Sequence, residues 1–204
     1  MSAKTGAPDP SIYVWWIGAE ASPEALLTDV RSHVGRVFGW TARTWHGHDR
    51  PPDALDPIRN QHWSTRILEW LVENGPAGPH KVLAVTDVDL FIPVLTFVFG
   101  EAQLGGRGAL VSTSRLVPPG SSLARGGPLL AARLAKEAIH ELGHSFGLVH
   151  CDVTRCVMSR SASLLEVDAK SGGLCQDCWT RYLDLREHPG GFHDERTHSH
   201  PGRR

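Results

Sequence analysis

Residues 140–150 read His-Glu-Leu-Gly-His-Ser-Phe-Gly-Leu-Val-His, which packs three imidazoles, one carboxylate and two glycines into eleven positions. A helical turn takes about 3.6 residues, so histidines four apart share one face and can meet a single ion. His140 and His144 have that spacing. Gly147 falls where such a helix must stop and the chain turn sharply, a task for a residue that tolerates positive φ. His150 can then return toward the same point. Three neutral imidazoles on zinc leave a fourth position for solvent, the arrangement of a catalytic rather than a structural site. Glu141 neighbours His140 but is poorly placed to join both histidines as a ligand. It is expected instead to accept the proton of an attacking water, and amide hydrolysis is the natural reaction of such a group.

A second cluster lies immediately downstream. All four cysteines of the chain, Cys151, Cys156, Cys175 and Cys178, fall between positions 151 and 178. Clustered thiols in a chain without a secretory leader more often hold metal than form disulfides. Cys-x4-Cys paired with Cys-x2-Cys supplies four thiolates, suited to a closed tetrahedral structural zinc worth on the order of 10 kcal/mol to folding. An iron centre, redox-active thiols or disulfides are the alternatives. Cys151 directly follows His150, so one peptide unit would link two metal centres.

These residues need a scaffold, and the rest of the sequence outlines one. The run Ile12-Tyr13-Val14-Trp15-Trp16-Ile17 predicts a buried strand. Leu26, Leu27, Val30, Val34 and Val37 recur at helical spacing and predict a helix over 23–38. Residues 39–45 alternate loosely as a second strand, and 46–57 are rich in Pro, Asp and Gly, as loops are. Trp63, Ile67, Leu68, Trp70 and Leu71 form one helical stripe that ends at Asn74-Gly75. Lys81-Val82-Leu83-Ala84-Val85-Thr86 is a third strand. This order favours parallel strands with two crossover helices. Residues 97–102 and 109–114 flank a glycine-rich connection and predict an antiparallel pair, one member of which is a sheet edge. The metal-bearing helix is expected over 128–146, after a loop bracketed by Pro118-Pro119-Gly120 and Gly126-Gly127-Pro128.

With the elements placed, the string HELGHSFGLVHC, followed by Cys156-Val157-Met158 and Cys175-Gln176-Asp177-Cys178, resembles the archaemetzincin family of metzincin-like zinc peptidases. The gap of 16 residues from Met158 to Cys175 is one shorter than the family pattern, and the ligand types are intact. The resemblance extends upstream through Thr86-Asp87-Val88-Asp89-Leu90 and Phe97-Val98-Phe99-Gly100-Glu101-Ala102. It implies an α/β metzincin-like zincin domain with a mixed, mostly parallel twisted sheet, an active-site helix and a zinc-stapled C-terminal part. It also implies His140, His144 and His150 as catalytic-zinc ligands and Glu141 as general base. Met158 would form an apolar floor beneath the metal, and Cys151, Cys156, Cys175 and Cys178 would hold a structural zinc, two Zn2+ per chain in all. A peptide or protein substrate follows, with aminopeptidase action on short peptides as one form. The rival expectation is a non-catalytic module that binds a peptide terminus through two structural zincs, which would leave Glu141 without a purpose; hydrolysis of a non-peptide amide or ester is a third.

Other features carry blander expectations. Asp87 and Asp89 at the end of the third strand read as structural carboxylates rather than a catalytic pair. Tyr182 reads as a packed tyrosine more readily than an oxyanion donor. The edge over 97–104 or its partner through Ser114 could align an extended peptide by strand addition, or simply close the core. His188, His193, His198 and His200 lie in a polar tail over 187–204, and residues 1–10 read as a loose terminus around a domain over 11–186. The chain has 204 residues with 21 basic and 22 acidic side chains, a net charge of −1 that argues against nucleic-acid or membrane-surface binding. No apolar stretch approaches the ~20 residues that cross a bilayer. The polar start, without the apolar core of a secretory leader, points to a cytoplasmic protein, and a monomer is expected.

Overall fold

The computed structural model describes residues 10–18, 21–47, 54–78, 80–118 and 127–188. The expected loose terminus and histidine tail therefore lie outside the described residues, apart from Pro10, Glu187 and His188. In chain order the elements are β1 Ser11–Trp16, α1 Glu24–Phe38, β2 Thr41–Trp45, β3 Leu55–Asp56, β4 Gln61–Trp63, α2 Ser64–Asn74 and β5 Lys81–Thr86. They continue with β6 Leu90–Phe91, β7 Gly100–Ala102, β8 Gly108–Ser112, α3 Pro128–Ser145, α4 Leu164–Ala169 and α5 Gln176–Glu187.

The main sheet has the order β2-β1-β5-β8-β7. β1 pairs in parallel with β2 and β5, β5 with β8, and only β7 runs antiparallel, opposite β8. This is the mixed, mostly parallel sheet expected. Side chains alternate across it as the strand period demands. Ile12, Val14, Leu83, Val85, Ala109 and Val111 face α1 and α3, with Val30, Val34, Leu134 and Ile139 among their partners. Trp15, Val82, Ala84 and Leu110 face the other way, toward Ile67, Leu68 and Leu71 of α2. The sheet is thus covered on both faces, and the helix bearing the histidines sits chiefly against β8 and the edge strand β7. Among the described residues no helix is long and apolar enough to cross a membrane.

Three features differ from the sequence expectation. The segment read as a loop contains β3, which pairs with β4, itself paired with β6 in a small second sheet. The strand expected over 97–102 shortens to β7, while Val98 makes an isolated bridge to Leu90. One run therefore serves both sheets. After the active-site helix the chain adds α4 and α5, and α5 continues through Glu187.

Tyr182 of α5 is fully buried and donates its hydroxyl to the Phe38 carbonyl at 2.6 Å, with Phe38, Phe146 and Trp179 against its ring. It is a packing tyrosine. Asp89 is also structural, but not through local turn bonds. Arg115 grips it with two bonds of 2.6 Å, and Gln61 adds a third at 3.0 Å.

Candidate active site

The site begins on the second half of α3, where Ile139 and Leu142 face the core and bury the turn that carries His140 and Glu141. Proline at the first helical position suits the helix start. The helix ends as expected: Gly147 takes φ 98°, its N–H bonding the His144 carbonyl at 2.9 Å. The chain then doubles back, and His150 arrives beside the other two rings. Ring centroids of His140, His144 and His150 are 4.7, 4.8 and 5.4 Å apart, and their ligand atoms lie within 4.8 Å of one another.

The imidazoles are oriented by carbonyls. His140 Nδ1 is 2.8 Å from the Val157 carbonyl, and His144 Nδ1 is 2.8 Å from the Leu148 carbonyl. A carbonyl only accepts, so each Nδ1 carries the proton and each Nε2 presents a bare lone pair. Those two Nε2 atoms stand 3.2 Å apart. Two lone pairs at that distance repel unless a cation lies between them. Burial lowers the pKa of all three rings first of all, that of His150 to about 4, so they stay neutral near pH 7. The donor set fits a divalent metal of the zinc type.

Glu141 is buried beside this cluster, at 6% exposure. Burial, then the nearby Glu137 carboxylate, raises its pKa well above the ordinary value, against the opposing charge of Lys170. Strand β7 presses on Glu141 from behind. A Cβ on Gly100 would stand 2.7 Å from Glu141 Cγ, so only glycine fits there. Met158 is fully buried beneath the site, its sulfur set against Gly143, between the two helical histidines. Its carbonyl accepts from the Cys151 N–H at 3.0 Å.

The four cysteines also meet. All are free thiols, and their sulfurs lie within 4.8 Å of one another. Cys151 and Cys175 sulfurs are 3.8 Å apart, too far for a disulfide. Bonds of ~2.3 Å in a tetrahedron put sulfurs about 3.8 Å apart, so the spacing suits a thiolate-bound zinc. Cys175 caps the start of α5, and the Cys178 N–H holds its pKa below the ordinary value. Burial pushes Cys151 and Cys178 up.

With the site assembled, comparison with known proteins is decisive. Residues 79–184 match peptidase family M54. The chain belongs to that family, the archaemetzincins. The M54 chain is 44% identical over 168 residues to the archaemetzincin of Methanopyrus kandleri, covering 82% of this chain and 91% of the relative. It is 40% identical over 161 residues to that of Methanocaldococcus jannaschii, covering 79% and 87%. Its fold is similar to the crystal structure of the M. kandleri archaemetzincin, with a TM-score of 0.76 and 32% identity over 91% of this chain and 99% of that one. The archaemetzincin of Archaeoglobus fulgidus, solved with malonate, matches at a TM-score of 0.68 and 31% identity, over 84% and 99%. The chain is accordingly a zinc metallopeptidase.

Sequence reasoning had passed over several neighbours of the site. Gly100 carried a signal, since a lone glycine in a strand marks close backbone approach. Glu137 lies one turn before Glu141, and its 3.1 Å ion pair with the buried Lys170 could not be read from the chain. Lys81 bridges the Gly106 and Ser145 carbonyls, both at 2.6 Å, clamping the end of α3 to the β7–β8 hairpin. Strand β7 is one of the two edge strands of the main sheet, and Glu101 on it accepts bonds from Ser64 and Thr65 at the start of α2.

Proposed function

We propose that His140, His144 and His150 hold the zinc of this archaemetzincin and that Glu141 is the general base for peptide-bond hydrolysis. Met158 is then the floor of the site, and Cys151, Cys156, Cys175 and Cys178 hold a second, structural zinc, giving two per chain. The observation that carries the reading is the pair of bare Nε2 atoms 3.2 Å apart, next to a buried carboxylate. Zinc, when bound, supplies Lewis acidity and brings the pKa of water toward about 7.

The chain's own residues do the rest. The Val157 and Leu148 carbonyls hold two ligand rings in the tautomer that frees Nε2. Glu141, buried beside the histidine cluster, takes the proton of the attacking water on its carboxylate and returns it to the departing amine. The outer edge of β7 offers backbone donors and acceptors to an extended peptide. The substrates are peptides, and the finer reading is aminopeptidase action on short ones.

Glu141→Gln decides the mechanism. It is expected to keep both zincs and the fold while losing turnover by about 10²–10⁴-fold, the scale of general-base catalysis. His144→Ala should lower the zinc count from two to one. Undiminished turnover in the first variant, or an unchanged metal count in the second, overturns the assignment. Matched peptides with free and acetylated N-termini test the aminopeptidase reading, which requires cleavage of the free form alone.

A further inference from the structure

The segment that links Met158 to α4 places a guanidinium on the rim of the histidine cluster. Arg160 Nε lies 3.1 Å from His150 Nδ1, and the Arg160 side chain is exposed. Zinc on His150 Nε2 would leave the proton on Nδ1, which then cannot accept from the guanidinium, so in the zinc-loaded site Arg160 Nε is released as well. Its backbone is held on both sides. Ser159 is buried, its N–H bonded to the Cys156 carbonyl at 3.0 Å and its hydroxyl to the Thr154 carbonyl at 3.1 Å. Three residues beyond Arg160, Ser163 caps α4 through the Glu166 N–H at 3.4 Å, while the Glu166 carboxylate takes the Ala162 N–H at 2.7 Å. The reciprocal cap fixes the entry to the helix and with it the position of Arg160.

The contrast with other arginines is instructive. Arg115 and Arg133 spend their forks on Asp89 and Asp168 in paired bonds of 2.6–2.8 Å. Arg160 has one polar contact among the described residues, the His150 ring, and no carboxylate pairs with it there. Its two terminal nitrogens keep the donor geometry that matches a carboxylate in two parallel bonds. One residue of extended chain spans ~3.3–3.8 Å. A peptide whose scissile carbonyl lies at the three imidazoles therefore brings a carboxylate one or two residues further on within reach of a group one ring away.

We propose that Arg160 is a specificity-determining residue that binds the C-terminal carboxylate of the substrate, which makes di- and tripeptides the preferred substrate class. The inference rests on the peptidase reading above and deepens it. It also gives short peptides a physical reason: a longer chain would lay an uncharged amide against the guanidinium.

The test pairs each peptide with its C-terminal amide. Ala-Leu and Ala-Leu-amide are assayed with the zinc-loaded wild type, Arg160→Gln and Arg160→Lys. A charge-assisted contact of this kind corresponds to about a 10- to 100-fold change in an equilibrium constant. The wild type is expected to show a KM lower by about that factor for the carboxylate form, with kcat within about threefold. Arg160→Gln brings the two KM values together, and Arg160→Lys restores part of the gap. Calorimetric binding of acetyl-leucine against acetyl-leucinamide gives a readout independent of turnover, with the same expected preference and the same loss in Arg160→Gln. Failure to cleave either peptide, with the calorimetric preference intact, overturns the hydrolytic reading and leaves the carboxylate site standing. Equal binding of acid and amide by the wild type, or a preference that survives in Arg160→Gln, overturns the proposal for Arg160.

Discussion

Replacing Gly100 by alanine asks whether the sheet edge sets the position of the carboxylate at the centre of the site. The new Cβ would stand 2.4 Å from the Leu110 carbonyl oxygen, 2.7 Å from Glu141 Cγ and 2.8 Å from Glu141 Oε1. Carbon atoms in contact prefer about 3.5–4.0 Å, so the overlap with Cγ is roughly 1 Å. Leu110 cannot retreat, because β8 is paired on both sides, with β5 and with β7. Glu141 is buried on a helix packed against this sheet, and the strain falls on its side chain. Overpacking of this kind costs about 1–3 kcal/mol of stability. A reacting group displaced by about 1 Å loses on the order of 10² in rate. The assay is kcat and KM on one short peptide, with zinc content and thermal unfolding measured on the same preparation. The expected result is kcat down by about 10²-fold with KM and zinc content held. Turnover within threefold of wild type would refute the reasoning, and so would a loss that simply followed loss of zinc.

Four further outcomes follow from the same coordinates. Lys170→Met leaves the Glu137 carboxylate buried without its 3.1 Å partner and should cost about 3–5 kcal/mol in denaturant unfolding, while Glu137→Met/Lys170→Met together recovers most of it; equal losses would show that the pair is not the cause. Burial lowers the Lys81 pKa from 10.5 to about 8, so between those values the unfolded chain holds the extra proton and stability rises with pH. Discounted for the solvent that still reaches this amine, the stability of the wild type relative to Lys81→Met should rise by about 1 kcal/mol from pH 8 to 10.5, and a flat or falling difference contradicts it. Tyr182→Phe removes the 2.6 Å bond to Phe38 and should lower stability by about 1 kcal/mol with kcat unchanged; a fall in kcat would return this tyrosine to the reaction. Cys178→Ser should bring the metal count down by one and lower the unfolding temperature, and retention of both zincs would remove this cysteine from the structural centre.

The parts legible in the sequence were those with a period or a spacing. β1, β5, α1 and α2 each carry enough alternating or helical repeats to declare themselves, and α3 carries both its apolar stripe and its histidines. The small sheet was invisible because β3 and β6 have two residues each, too few to show a period. Helix α5 was overlooked for a related reason: within it only Cys178 and Tyr182 are buried, so its apolar face is thin. At the site, histidines and cysteines at fixed intervals could be read directly. The partners of Gly100, Lys81, Lys170 and Arg160 could not, since each lies far along the chain or across a turn whose course the sequence does not encode locally.

The second cysteine cluster has a physical reason to sit where it does. Between Gly147 and α4 the chain must hold the Val157 carbonyl on His140, set Met158 under Gly143 and return His150 to the other rings. It does so with little apolar material. Asp152, Val153, Thr154 and Arg155 are exposed in succession, and burial resumes only from Cys156 to Ser159. Ordering backbone costs about 1–2 kcal/mol per residue, and the exposed run over 152–155 recovers little of it by burial. On the two-zinc proposal, four thiolates on one metal would supply on the order of 10 kcal/mol toward that cost. On this reading the cysteine centre is the tether of the histidine centre, and the adjacency of His150 and Cys151 is the shortest form such a tether can take.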